Sequence, residues 1–284
     1  MKFYSYGFIA MLFSLIACGQ QPQKEQQAAL PHYNLNKPQV FKMPAALDEI
    51  SGIAFNQGNA DTIYAEQDEE GKLFRFHLGD AAILKTKFGK KGDYEDVQVC
   101  KEQVLMLRSD GVLYTFPLNE TYGKEAANVK EYKELLPGGE YEGLYADWAT
   151  NKVYILCKKC NEKRSKTTTG YVFLINKEGN LMPAGNFTLN VEAIAAKAGD
   201  EKIEFKPSAL AKNERTGDWF VLSSVNKMLV IADRKWVIKA VYKLNASVFN
   251  QPEGIAFDAS NNLYISNEKG NAANATILKF AYQQ

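Results

Sequence analysis

One short pattern returns along the chain and restricts its fold more than any other feature. Gln251-Pro252-Glu253-Gly254-Ile255-Ala256-Phe257-Asp258 is echoed by Glu49-Ile50-Ser51-Gly52-Ile53-Ala54-Phe55-Asn56 and by Glu140-Tyr141-Glu142-Gly143-Leu144-Tyr145-Ala146-Asp147. Two weaker copies, Asp93-Tyr94-Glu95-Asp96-Val97-Gln98-Val99 and Lys206-Pro207-Ser208-Ala209-Leu210-Ala211-Lys212, change the small residue at the centre. The small positions Gly52, Asp96, Gly143, Ala209 and Gly254 are spaced by 44, 47, 66 and 45 residues. Such a period belongs to architectures that stack one supersecondary unit per copy.

Between the copies lie short apolar runs broken by turn residues, with little helical periodicity. Four units carry four runs each: 52–55, 62–65, 73–76 and 83–86; 97–100, 104–107, 112–116 and 129–132; 144–146, 153–156, 171–175 and 186–189; 209–211, 219–222, 228–231 and 237–241. The fifth has only 255–257, 263–266 and 277–280, while one isolated run, 40–43, precedes the first unit. Pairing that run onto the fifth unit closes a ring and removes a free sheet edge. The predicted fold is all-β, a β-propeller closed by an N-terminal strand, with five blades preferred over six. A sixth, degenerate blade would have to hide in the long third gap, where Val191 to Lys197 reads as a short helix and Lys158 to Thr169 as an inserted polar loop.

With 284 residues, 46% of them apolar, the chain can bury one large core, read here as a single domain over 33–284. A net charge of +1, from 34 basic and 33 acidic side chains, offers no field for nucleic acid. Lys2 and the apolar run Tyr6 to Ala17 form a targeting segment too short to span a bilayer comfortably. Its end, Leu15-Ile16-Ala17-Cys18-Gly19, resembles the lipobox of bacterial lipoproteins. That resemblance implies a signal peptide over 1–17, lipidation of Cys18, membrane attachment through it, and a Gln-rich flexible tether over 18–32. The expected location is the bacterial cell envelope, with outer membrane or surface favoured over inner membrane because Gly19, not an aspartate, follows the cysteine.

The residue before each small position reads Ser51, Glu95, Glu142, Ser208 and Glu253. Inner strands of a propeller line its axis, so three carboxylates from different blades should converge at one end of the channel. Like charges drawn out of water need a raised pKa, a basic partner or a cation. Calcium suits an all-oxygen set. The metal candidates are therefore Glu95, Glu142 and Glu253, and the ligand-binding candidates Glu49, Ser51, Ser208 and Glu268, with Glu66, Asp93 and Glu140 adding charge. The structural alternative is that these residues cap strands and lock neighbouring blades.

Other chemistry has little material. Of four cysteines, Cys157 and Cys160 have the spacing of a redox or metal pair, but no second pair completes a zinc site. They read as a local disulfide or a free surface pair, and Cys100 as core. His32 and His77 are the only histidines. The basic run Lys158, Lys159, Lys163, Arg164 and Lys166 could meet anionic lipid or polysaccharide, or simply be solvated.

The succession Glu-Ile-Ser-Gly, Asp-Tyr-Glu-Asp, Glu-Tyr-Glu-Gly, Lys-Pro-Ser-Ala and Pro-Glu-Gly-Ile resembles the SdiA-regulated family of bacterial propeller proteins, over roughly residues 40–282. Asp218 to Ser224 is similar to that family's leucine-serine strand, and Asn262 to Glu268 to its terminal serine-x-glutamate strand. Asp96 in place of the second glycine and Lys206 in place of an acid are departures. The resemblance implies a propeller, envelope association, calcium at the motif acids, and no enzymatic activity to carry over. The expected function is a lipoprotein that binds a ligand or an envelope protein at the motif face, supported by calcium. A calcium-dependent hydrolase of lactonase or esterase type is one alternative, although only Asn267 resembles the asparagines such enzymes place around their ion. A non-catalytic structural envelope protein is the other. No residue is assigned a catalytic role.

Overall fold

The computed structural model describes residues 1–3, 29–80, 82–160 and 166–284. The expected signal peptide beyond residue 3, Cys18, nearly all of the expected tether, and Lys163 and Arg164 of the basic run lie outside the described residues. After strand β1 (Gln39–Lys42) come five four-stranded antiparallel sheets. The first is β2 (Ile50–Asn56), β3 (Asn59–Gln67), β4 (Lys72–Phe76) and β5 (Leu84–Lys87). The second is β6 (Tyr94–Cys100), β7 (Gln103–Arg108), β8 (Leu113–Pro117) and β9 (Lys130–Tyr132). The third is β10 (Glu140–Asp147), β11 (Lys152–Lys159), β12 (Thr167–Ile175) and β13 (Leu181–Asn190). The fourth is β14 (Ala209–Lys212), β15 (Trp219–Ser223), β16 (Met228–Ala232) and β17 (Ile238–Lys243). The fifth joins β18 (Pro252–Phe257), β19 (Leu263–Asn267) and β20 (Thr276–Phe280) to β1 as its outermost strand.

β1 pairs antiparallel with β20, Gln39 opposite Lys279 and Lys42 opposite Thr276, so the first strand of the chain completes the last blade. The fold is a five-bladed β-propeller. The long third gap holds no sixth blade. It is filled by the long β12–β13 hairpin and by helix α1 (Val191–Ala198), capped by the Asn190 side chain on the Ala193 amide and ended by Gly199 at φ 67°.

Alternation along each strand sends apolar side chains to both faces of its sheet, and each face is buried against the next blade. Five apolar clusters result, one per junction. Phe55 and Ile63 meet Tyr264 and Ile277; Leu73 meets Val97 and Phe116; Leu107 meets Leu144 and Ile155; Leu156 and Phe187 meet Trp219 and Val230; Phe220 and Leu229 meet Ile265 and Leu278. Full burial of each such side chain stabilises by about 1.5–3 kcal/mol. Leu30 and Tyr33 join the last cluster, so packing begins at Leu30, ahead of the domain start expected at Tyr33. The Tyr33 hydroxyl donates to the Asn261 carbonyl (2.7 Å) in the β18–β19 turn, and His32 stacks on Tyr282.

Because β18 and its counterparts all run the same way, the channel has two distinct mouths. The motif acids stand where the inner strands begin, here called the upper mouth. The chain enters at the lower mouth, beside the turns that follow the inner strands.

Residues 29–42 contribute the closing strand and two buried side chains, worth about 4 kcal/mol by area. Their deletion should lower the melting temperature by about 10 °C, read by circular dichroism; an unchanged melt would show that the ring does not depend on its N-terminal closure.

Candidate functional site

At the start of the inner strands the ladder skips. The β6–β7 register breaks between Tyr94 and Asp96, the β10–β11 register between Tyr141 and Gly143, and the β18–β19 register between Pro252 and Gly254. Glu95, Glu142 and Glu253 are thus each the unpaired residue of a β-bulge, and β2 breaks likewise between Ile50 and Ile53, around Ser51. A bulge re-aims its extra side chain out of the sheet's alternation, which here turns three glutamates toward the axis.

The neighbours of these bulges lock the ring. The buried Asp96 carboxylate accepts from its own strand at the Val97 amide and from the next blade at the Leu144 amide, both at 2.8 Å. A side chain at Gly52 would collide with that carboxylate and with the backbone of Asp96 and Val97, so the close approach of β6 requires glycine there. Between the fifth and first blades, the Ser266 hydroxyl donates to the Ser51 carbonyl (2.6 Å) and accepts from the Gly254 amide (2.8 Å). Between the fourth and fifth, the Ser208 hydroxyl donates to the Pro252 carbonyl (3.2 Å). Ser51 and Ser208 are buried in these junctions.

A second tier stands beside the bulges. Counting two residues past the partner of each small position, the second strands place Asp68, Ser109, Lys158, Ser224 and Glu268 around the same mouth. Lys158 forms an ion pair with Glu142 and lies in the field of Glu95 and Glu253. The acid ring therefore holds a resident ammonium. Burial pushes Glu95 up to about 10, reinforced by Glu142, Asp93 and Glu66 and opposed by Lys158. Burial also raises Glu142 to about 7, where Lys158 restrains it. Glu253 is raised by burial and held back by Ser224, Lys158, Lys227 and Ser208. Burial would lower Lys158, but Glu142, Glu95 and Glu253 outweigh it and its pKa rises.

Acids without an ammonium gather one step away. One carboxylate oxygen from each of Glu49, Asp68 and Glu268 lies within 4.8 Å of the other two. Burial lifts Glu268 to about 8, helped by Glu253, Asp68 and Glu49, and lifts Asp68 to about 6, helped by Glu49, Glu69 and Asp93. Glu66 is fully buried behind them and is raised well above the carboxylate range by burial, with Asp96, Asp68 and Glu268 adding to the shift. One Glu66 oxygen accepts from the Gly52 amide, while its Oε2 and Asp68 Oδ1 are buried with no hydrogen-bond partner. Lys269, which follows Glu268, gives its ammonium to Asp48 (2.7 Å). The donors at Glu49, Asp68 and Glu268 are all hard oxygens, and the buried Asp68 Oδ1 among them lacks a partner. That set fits calcium.

The expected metal residues Glu95, Glu142 and Glu253 do come together, around Lys158. Of the expected ligand residues, Glu49 and Glu268 share the second acid group, whereas Ser51 and Ser208 sit in blade junctions. Asp68 reads in sequence as a turn residue and Lys158 as part of a loop. Strand β11 instead continues to Lys159, and β12 starts at Thr167. Aligning second strands rather than motif copies would have put Asp68, Lys158 and Glu268 at one repeat position. Cys157 and Cys160 are joined in a disulfide directly beside Lys158, and Cys100 is core.

A family described as SdiA-regulated has a sequence model that matches residues 25–271. No curated protein matches the sequence. Among solved structures, glutaminyl cyclase from Myxococcus xanthus is similar at TM-score 0.55 and 13% identity, over 87% of this chain and 96% of that one. A luciferin-regenerating enzyme aligns at 0.54 and 9%, over 86% and 95%. The calcium-binding protein regucalcin from Agrobacterium tumefaciens aligns at 0.51 and 12%, over 90% and 96%. At these identities the likeness is one of fold.

Because the folded-state pKa values of Asp68, Glu142 and Glu268 lie above those of an unfolded chain, the folded protein retains protons that the unfolded chain releases. Stability should therefore fall as pH rises from about 4.5 through about 8 in chelator, with Glu95 carrying the decline on toward about 10. Melting temperatures should show that decline, and Glu268→Gln should flatten it. Lys158→Met leaves Glu95, Glu142 and Glu253 without their ammonium, and urea titration near pH 7 should give a loss of about 3 kcal/mol that shrinks toward pH 5. Equal loss at both pH values would show that Lys158 acts by packing alone.

Proposed function

The chain belongs to the SdiA-regulated family, and from that premise we propose that it is a binding protein whose upper mouth takes a cationic ligand with calcium support. The observation that carries this reading is the group Glu49, Asp68 and Glu268, three converging oxygens with a buried, unpartnered oxygen on Asp68 and no lysine paired to them among the described residues. Close carboxylates raise one another's pKa, and a divalent cation relieves that repulsion more fully than protonation does. Glu95, Glu142 and Glu253, already neutralised in part by Lys158, form the adjoining surface for the remainder of a ligand. In this reading Cys18 carries lipid, and the propeller is held at the bacterial envelope.

A calcium-dependent hydrolase is the second reading. It is favoured by Glu142, poised near neutrality beside the Lys158 ammonium, where a carboxyl can exchange its proton. Turnover of lactones or aryl esters that is lost in Glu142→Gln would select it over binding alone.

Calcium added to the chelated protein near pH 8 should raise the melting temperature by about 5–10 °C at a hundredfold excess over its dissociation constant. The rise should vanish in an Asp68→Asn, Glu268→Gln double variant. If the parent does not respond, or if the double variant responds like the parent, the calcium assignment is wrong.

A further inference from the structure

The lower mouth differs from the upper one in almost every respect. A cavity of about 560 Å³ opens there, lined by the ends of all five inner strands. Three of those strands carry alanine two residues past the motif's small position, at Ala54, Ala211 and Ala256, and the other two carry Gln98 and Tyr145 there. The volume falls in the range of small-molecule sites. Phe257 forms part of its wall, and Trp148, in the turn after β10, stands at its rim with 47% of its surface exposed.

The charges around this cavity are nearly all spoken for. Lys212 pairs with Asp147 (3.0 Å) and with Glu214 (3.2 Å). The Asp258 carboxylate accepts from the Asn262 amide (2.8 Å), the Asn262 side chain (2.7 Å) and the Tyr264 hydroxyl (2.9 Å). Arg215 is the exception: its guanidinium lies 4.8 Å from the ring centre of Tyr282 and forms no ion pair among the described residues. A guanidinium held against a ring keeps its in-plane donors available for a two-oxygen anion. An exposed indole at the rim of a cavity offers stacking to a flat body.

We propose that the lower mouth is a second binding site, separate from the upper acids, for a small planar apolar molecule carrying one carboxylate or sulfonate. Arg215 takes the anionic group, and Trp148 with Phe257 holds the body. The site asks nothing of calcium, and its occupancy stands or falls independently of the reading given for the upper mouth.

Isothermal titration of the purified protein with 2-naphthoate, in chelator, tests this directly. Saturable binding is expected, with 2-naphthamide about tenfold weaker because it lacks the charge. Arg215→Gln should weaken naphthoate about tenfold, Arg215→Lys less, and Trp148→Ala roughly three- to tenfold. Melting curves that match the parent's exclude misfolding as the cause. Absence of saturable naphthoate binding, equal affinity for the neutral amide, or undiminished binding by Arg215→Gln would each overturn the proposal.

Discussion

The whole ring depends on backbone pairing that fails near the start of four of the five inner strands, β2, β6, β10 and β18. Where the ladder skips, amides and carbonyls are left without in-sheet partners, and buried backbone polar groups must find others. They find them across the junctions: Asp96 reaches the Leu144 amide, Ser266 the Ser51 carbonyl, Ser208 the Pro252 carbonyl. One irregularity thus fastens neighbouring blades and swings an extra side chain toward the axis. Architecture and site share a cause, so the motif serves as both lock and acid source.

Concentrating carboxylates in this way has an electrostatic cost that the molecule meets differently on its two sides. Around Glu142, a lysine from the adjacent strand supplies the opposite charge, fixed by the same sheet that presents the acid. Around Asp68 no lysine is ion-paired to the acids among the described residues, although Lys227 lies in the field of Glu268 and Lys269 in that of Glu49. Burial and mutual repulsion shift Asp68 and Glu268 toward their protonated forms. A charge bound to the fold cannot be exchanged, whereas a proton can. Acids on both sides are shifted upward, but only on the Asp68 side are they without an ion-paired lysine among the described residues, so that side is the half open to an added cation.

Much of this was readable from residues alone. Five motif copies, the missing strand of the last unit and the spare strand before the first set blade number and closure, because period-two alternation and edge protection leave few other arrangements. The helix after β13 was legible as a short helical run over Val191 to Lys197, while its Asn190 cap was not. The convergence of Glu95, Glu142 and Glu253 followed from repeat position. What escaped was cross-strand register: Lys158 adjoins a polar stretch and reads as loop, and Asp68 lies in an acidic turn, yet both fall at the same repeat position as Glu268. The lower cavity escaped too, since its lining is drawn from five separate inner strands, and residues so far apart in the chain leave no local pattern.

The chain's point of entry gives the molecule a direction. Leu30 and Tyr33 dock beside the turn at Asn261, at the mouth opposite the acids, and the strand that follows climbs the outer edge of the last blade before Glu49 reaches the upper mouth. Leu30, the first residue packed into the ring, thus lies on the lower side. An attachment made there would turn the carboxylates outward, toward the surrounding medium, and would leave the alanine-lined cavity facing the surface to which the protein is fastened. The two mouths would then sample different solutions, one open to diffusing ions and the other sheltered within the narrow gap beneath the ring.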